Sequence, residues 1–221
     1  MRIYLIRHGR QSSTLCNVNV PLAEAGIEQA HLAGKRLAAY GIDAIYASDL
    51  IRARETAEII KEEVLQAGAG TLSADADVQV RSELREIDFG ALEGKTDAAI
   101  KVEFKEFLEK RDLLEEDLPF PEGECGADVI ARFTRVLKEL EEGSYESVAI
   151  VTHGGAIRSI LTSVLQMDPA NKLLISLSLE NTSITELFYH KEKKRYYVER
   201  INDYAHLEAA PHLLRRNWSR E

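Results

Sequence analysis

"IYLIRHG", residues 3–9, decides how the chain is read. Ile3 to Ile6 form an unbroken apolar run without polar alternation, the pattern of a short strand buried on both faces. Arg7 and His8 follow side by side, and two basic groups at the end of a buried strand need something to face. The pattern returns further on. "SVAIV", 147–151, is a second buried run, and it ends in Thr152-His153-Gly154-Gly155. In an open α/β sheet the carboxyl ends of parallel strands share one edge, where ligands bind. Two central strands ending in His-Gly would turn both imidazoles into one crevice. Glycine after each histidine allows a sharp turn and close approach of a ligand. Gly154 and Gly155 also open a helix, whose first N–H groups can meet an anion.

Between these strands the periodicity alternates. Helical stripes are predicted over 24–40 (Ile27, Ala30, Leu37, Ala38), 50–66 (Ala53, Ala57, Ile60, Val64), 96–111 (Ile100, Phe104, Phe107, Leu108), 127–140 and 156–165. Short strands are predicted at 43–48 and 78–80. "LLISLSL" (173–179), "SITELFYH" (183–190) and "RYYVERIN" (195–202) read as two or three successive strands, antiparallel in part. The expected fold is a three-layer α/β/α sandwich on a mostly parallel sheet with C-terminal antiparallel strands. Residues 1–221 are expected to form one domain with a small helical cap inserted around 96–125. Residues 103–124 carry nine acidic side chains against three basic ones.

The composition narrows the partners. With 221 residues, 45% of them hydrophobic, the chain can bury one sizeable core. Its net charge of −9, from 28 basic and 37 acidic residues, argues against nucleic acid and anionic membranes. No stretch has the length of a membrane span. The apolar run ahead of Arg7 is too short for a secretory signal, so the expected compartment is the cytosol. Cys16 and Cys125 lie far apart without metal-ligand spacing and are expected to be free thiols. An acidic chain that binds a small anion must gather its cations in one pocket.

Such cations are present. "SDLIRARET" (48–56) follows the second predicted strand and sets Arg52 in the first turn of a helix near the same edge. Arg54, two residues on, faces elsewhere. Arginine's planar fork matches a phosphate. Single strand-end histidines are often structural; two matching His-Gly pairs, one beside an arginine, favour a phosphoryl pocket. "ELREIDFGALEG" (83–94) offers Glu83, Glu86, Asp88 and Glu93 as acids, and composition alone does not choose among them.

The ordered set "LIRHG", "PLAEAGIEQA", "IYASDLIRARETA", "LREIDFGALEG" and "VAIVTHGGAIRSIL" resembles the histidine phosphatase superfamily, in the branch of the phosphoglycerate mutases and their phosphatase relatives. "NTSITELFY" (181–189) and "NDYAHL" (202–207) resemble its C-terminal region. The resemblance implies that His8 is the nucleophile, Arg7, Arg52 and Gly154 bind phosphate, His153 is the second catalytic histidine and Glu86 is the proton donor. It implies a metal-independent phosphomonoesterase that needs no cofactor and acts through a phosphohistidine on a small phosphorylated metabolite. Alternatives within the resemblance are a cofactor-dependent phosphoglycerate mutase-type phosphotransferase and an alpha-ribazole phosphatase. A non-catalytic phospho-ligand-binding protein is an alternative of another class.

The sequence departs from the family pattern in the segment after His8. It is shorter than in many relatives, with Arg10 and Gln11 in its first two places. Arg10, Gln11 and Asn17 are therefore candidates for substrate contact, with a solvent-facing role for Arg10 as the alternative. The acidic stretch at 103–124 is expected to serve a second anionic group poorly, which favours hydrolysis over transfer. Phe104 and Phe107 are expected in the core. Cys125 stands where relatives often have serine. The C-terminal strands offer an edge to a second copy of the chain, giving a homodimer. The tail from Asn202 onward, with His206 and "PHLLRRNW" (211–218), is a candidate cover for the pocket.

Overall fold

Every residue from Ile3 to Ile6 is buried, as the apolar run requires. A computed structural model describes residues 1–68 and 71–215. Among these, the strands are β1 (Arg2–Arg7), β2 (Ala44–Ser48), β3 (Gln79–Arg81), β4 (Ser147–Thr152), β5 (Ile184–His190) and β6 (Arg195–Asp203). The helices are α1 (Glu24–Leu37), α2 (Ile51–Ala67), α3 (Asp97–Glu103), α4 (Lys105–Asp112), α5 (Gly126–Glu142) and α6 (Gly154–Val164). None of the described helices is long and apolar enough to cross a membrane.

The strands form one mixed sheet in the order β3-β2-β4-β1-β5-β6. β1, β2, β3 and β4 run parallel, β5 returns antiparallel to β1, and β6 pairs antiparallel with β5. β1 and β4 are central neighbours, with Arg7 opposite Thr152. That register sets His8 and His153 level with each other, one residue beyond the paired ends. Alternate side chains of the central strands feed two cores. Ile3, Leu5, Val148 and Ile150 pack with α5 and α6 residues such as Phe133 and Ile157. Tyr4, Ile6, Ala149 and Val151 pack with α1 and α2 residues such as Leu37 and Ile60 on the other face. The result is the expected three-layer α/β fold.

Four local expectations are corrected. "LLISLSL" forms no strand: Pro169 opens a 3-10 turn through Leu174, and Ser176 has a φ of 60°. Arg158 binds the carbonyls of Ile175, Ser176 and Leu177, which replaces sheet pairing for that segment. The predicted helix over 96–111 is broken at Phe104, whose ψ of 26° ends α3 before α4 starts. Phe104 and Phe107 nevertheless pack against the core. Ile27, assigned to the buried stripe of α1, is exposed. The α5 helix begins one residue before its expected start, with Cys125 as N-cap, whereas α6 opens at Gly154, as the glycine pair implied. Cys125 completes a capping box with Asp128, the task a serine performs elsewhere. Both thiols are free.

Candidate active site

His8 leaves β1 with its backbone fixed on both sides. Its N–H donates to the Thr152 carbonyl at 2.9 Å, and its carbonyl accepts from Asn181 Nδ2 at 2.9 Å. Gly9 then passes so close to α1 that a Cβ would stand 2.5 Å from the Gly26 carbonyl oxygen. Its N–H donates to Thr56 Oγ1, whose hydroxyl donates back to the Arg52 carbonyl. Strand β1 and helix α2 are thereby locked together, which carries Arg52 to the histidine.

The His8 ring has a defined tautomer. Nδ1 lies 2.7 Å from the Gly9 carbonyl, which can only accept, so Nδ1 carries the proton. Nε2 keeps its lone pair and accepts from Arg52 Nε at 3.2 Å. Arg52 is nearly fully buried and commits its other nitrogens to the Val18 carbonyl and Asn17 Oδ1. Asn17 therefore reaches the site by holding Arg52, and it also donates to Glu93 at 2.6 Å. Burial, then the charges of Arg7 and Arg52, hold the His8 imidazole well below its ordinary pKa, against the Gly9 hydrogen bond.

His153 lies with its ring centroid 5.0 Å from that of His8. It is fully buried, and neither ring nitrogen has a partner among the described residues. Burial first, then His8, Arg52 and Arg7, keep it neutral as well. Arg7 donates through Nη1 to the Leu179 carbonyl, and its buried Nε is also unpartnered among the described residues. Burial, with Arg215 nearby, brings the Arg7 guanidinium down to about 9. Buried donors in native proteins are almost always satisfied. Arg7 Nε and the one N–H that a neutral His153 carries are unmatched donors beside His8, and together they can receive an oxyanion.

Glu86 is placed by its backbone. Arg132 of α5 binds the carbonyls of Glu83, Arg85 and Glu86 at 2.7, 2.8 and 2.9 Å. Thr152 Oγ1 donates to the Leu84 carbonyl at 2.7 Å. The Glu86 carboxyl then sits on the first turn of α6, accepting from the N–H groups of Gly155 at 3.1 Å and Ala156 at 3.0 Å. This is where a helix favours an anion. A Cβ on Gly155 would stand 2.5 Å from Glu86 Oε1, whereas one on Gly154 would make only ordinary contact with Arg7. Gly155, more than Gly154, is the glycine the geometry demands. Glu124 pairs with Arg132, and Glu83 and Asp88 lie outside the cavity walls described below.

Two cavities open on these groups. One, of about 470 Å³, is walled by His8, Arg52, Asn17, Arg10 and Gln11 among others. The second, of about 360 Å³, runs past Gly154 and Gly155 to Arg158. Arg7, Glu86, Phe89 and Arg215 wall both. Arg10 lines the first cavity while its guanidinium holds the Leu213 carbonyl at 2.7 Å, so it anchors the C-terminal tail. Gln11 folds onto the Ser13 and Leu15 carbonyls. The tail does reach the site, through Arg215; residues 216–221, including part of "PHLLRRNW", lie outside the described residues. Arg54 is exposed, as expected.

Sequence reasoning missed Arg111, Arg158, Arg215 and Asn181. Arg158 had a signal, because it lies one turn after Gly154 on the same helix. Arg215 lies within "PHLLRRNW", the segment singled out as a cover for the pocket, but nothing in its pattern marks this arginine among its neighbours.

A mixed sheet of this order, with paired imidazoles and arginines at the carboxyl ends of its central strands, is the architecture of phosphoglycerate mutase-like proteins. The chain belongs to branch 1 of the histidine phosphatase superfamily, whose family model matches residues 3–203. It is 31% identical to the probable phosphoglycerate mutase GpmB of Yersinia pestis, covering 94% of this chain and 95% of that protein. It is similar to the solved structure of a mycobacterial glucosyl-3-phosphoglycerate phosphatase with inorganic phosphate: TM-score 0.76, 28% identity, 91% and 96% of the two chains. It is also similar to a mutant phosphoserine phosphatase from Entamoeba histolytica in complex with phosphoserine: TM-score 0.73, 26% identity, 93% and 98%.

Proposed function

We propose that the protein is a phosphomonoester hydrolase acting on a small phosphorylated metabolite through a phosphohistidine at His8. The observation that carries this reading is the His8 ring. Its Nδ1–H is pinned to the Gly9 carbonyl, and its Nε2 lone pair is turned toward buried donors. An imidazole kept neutral by burial keeps its nucleophile at acid pH, where a free histidine loses it.

In the first step Nε2 attacks phosphorus and the P–O ester bond breaks. Attack requires Arg52 Nε–H to leave Nε2, and an incoming phosphoryl oxygen takes that donor. Arg7 Nε, His153 and the Gly154 N–H at the start of α6 take the remaining equatorial oxygens. A proton brought in on the monoanionic phosphoryl group passes through the Glu86 carboxylate to the leaving alkoxide. In the second step water attacks the phosphohistidine, Glu86 takes a proton from it, and phosphate leaves with His8 restored. Asn17 acts through Arg52, as a positioning residue.

Transfer to a second acceptor, as in a mutase, is the other reading, and the relationship to probable GpmB proteins favours it. The phosphatase structures among the neighbours weigh toward hydrolysis. The test is phosphate release from a panel of small phosphomonoesters, run with and without chelator and with His8→Ala as control. Chelator-resistant release, abolished in His8→Ala together with the acid-labile phosphoenzyme, is the expected result. Folded protein that releases phosphate from none of them, but exchanges it when primed with a bisphosphate, would replace hydrolysis with transfer.

A further inference from the structure

Behind the phosphoryl site, the segment from Leu179 to Thr182 that leads into β5 grips the end of β1. The Leu179 carbonyl takes Arg7 Nη1, the Thr182 N–H donates to the Arg7 carbonyl at 2.9 Å, and Asn181 Nδ2 holds the His8 carbonyl. Glu180 sits in the middle of this segment and is only 1% exposed. A carboxyl group at that depth is costly to keep unless its oxygens are bonded. Among the described residues no cationic side chain bonds to it. Its oxygens accept main-chain N–H groups instead: Oε1 that of Asn181 at 2.9 Å, and Oε2 that of Arg215 at 3.1 Å.

These two bonds run in series with the nucleophile. From the Arg215 N–H the connection passes through the Glu180 carboxyl to the Asn181 N–H, and from the Asn181 side chain to the His8 carbonyl. The tail ahead of Arg215 is tied to the same neighbourhood. The Leu213 carbonyl accepts from Gln29 Nε2 at 2.9 Å, and Gln29 Oε1 in turn accepts the Arg10 N–H. His206 Nε2 lies 3.1 Å from Thr182 Oγ1. Each of these tail contacts falls on a residue that helps to hold the main chain between Arg7 and Arg10. Glu180 also acts through its charge. Burial, then Arg215, discourages the charge on Arg7, and Glu86 and Glu180 oppose them.

Filling space does not account for this side chain. A serine or asparagine can satisfy a neighbouring N–H without bringing a carboxyl group into the core. Spanning from Asn181 to the tail takes the length of glutamate, and only a carboxylate offers an acceptor at both ends; glutamine would turn an NH₂ group toward one of the two donors. We infer that Glu180 is a positioning residue, through which the docked tail holds the main chain of Arg7 and His8 in the geometry for attack on phosphorus. The tail is then a brace behind the nucleophile, whatever it covers in front. The inference rests on His8 being the nucleophile.

The test removes one hydrogen bond and nothing else. Arg215→Pro deletes the N–H that Glu180 accepts, and Arg215→Ala keeps it; both lack the guanidinium. Leu214 already has the φ of −67° and ψ of 150° that suit a residue before proline, and residue 215 is exposed, so both variants fold. The first readout is imidazole ¹⁵N–¹H NMR on the full chain. The His8 signal, assigned by its loss in His8→Gln, is expected to report one Nδ1–H tautomer in Arg215→Ala. In Arg215→Pro and in Glu180→Gln it is expected to shift or broaden, while His190 at the far end of β5 stays unchanged. The second readout is steady-state kinetics on an aryl phosphate. We expect kcat about tenfold lower in Arg215→Pro than in Arg215→Ala with KM within about threefold, the signature of displaced reacting groups. In an active enzyme, either readout coming out equal in the two variants overturns the inference. So does a Glu180→Gln protein that is less stable yet keeps the parent's His8 signal. A His8 signal that moves as expected in a chain whose parent hydrolyses no phosphomonoester sinks the hydrolase reading and leaves the brace standing.

Discussion

Lowering the pH from 7.5 to 5.5 should cost this protein stability through His8 and His153, and the amount can be worked out. Both imidazoles are held well below the usual histidine range, with burial the largest cause in each. The folded protein keeps them neutral through this window. The unfolded chain takes up a proton on each as the pH passes about 6.5. Stability is therefore complete above that pH and is lost as the pH falls toward the folded values. Each histidine contributes a loss on the order of 1 kcal/mol between pH 7.5 and 5.5. His206, held at about 4 chiefly by burial, acts in the same direction. The carboxylates with lowered pKa, such as Asp203, titrate in the unfolded chain near pH 4 and so stay out of this window. Urea unfolding at the two pH values isolates the effect when the parent is compared with His8→Gln and His153→Gln. Each variant should lose less than the parent over the same pH step, by an amount on the order of 1 kcal/mol, whatever its stability at pH 7.5. The remaining imidazole stays neutral in each variant because burial, more than its partner, depresses it. Variants with the parent's full pH dependence would show that these rings are protonated in the fold, and the neutral nucleophile would fall with them.

Two further substitutions probe how Glu86 is held. Gly155→Ala drives a methyl group against Glu86 Oε1 and Ile87 Cγ2, at 2.5 and 2.9 Å, so the carboxyl must leave the start of α6. We expect kcat to fall about a hundredfold, the scale of a lost general acid, and steady-state kinetics within about threefold of the parent would refute the placement. Arg132→Met strips partners from three carbonyls and from Glu124. Urea unfolding should show a loss of about 2–4 kcal/mol, and a change below about 0.5 kcal/mol would show that the loop holds Glu86 without it.

The fold was legible where the sequence repeats itself. Two buried runs ending in His-Gly predicted two parallel central strands, and β1 and β4 are such neighbours. Arg52 was legible because a helix starting after a short strand leaves its first turn at the sheet edge, and α2 does so. "LLISLSL" misled because apolar alternation describes a surface, not a pairing partner. Leu174 and Leu177 are exposed, and Arg158 takes the carbonyls that a strand would have offered to a neighbour. Ile27 misled for a related reason: one apolar residue at helical spacing does not reveal how far the buried stripe extends.

The least legible part of the site is its second cavity. Arg7, His8, Arg52 and His153 are fixed by strand ends and a helix start, so short-range pattern finds them. Arg111, Arg158 and Arg215 come from α4, α6 and the tail, and only the closed fold brings them to one cavity. Counting charges over 103–124 hides Arg111, which turns into the cavity while Lys105 and Lys110 pair in solvent, because a composition averages the faces of a helix. The same averaging explains how a chain of net charge −9 can hold an anion. Many of its acids, such as Glu58, Glu109 and Glu116, pair with surface cations in solvent, where water screens them. Arg7 and Arg52 sit behind protein walls that screen them far less. An anion at the proposed phosphoryl site thus meets the field of the pocket at contact, and the field of the whole molecule only at a distance, where salt has weakened it.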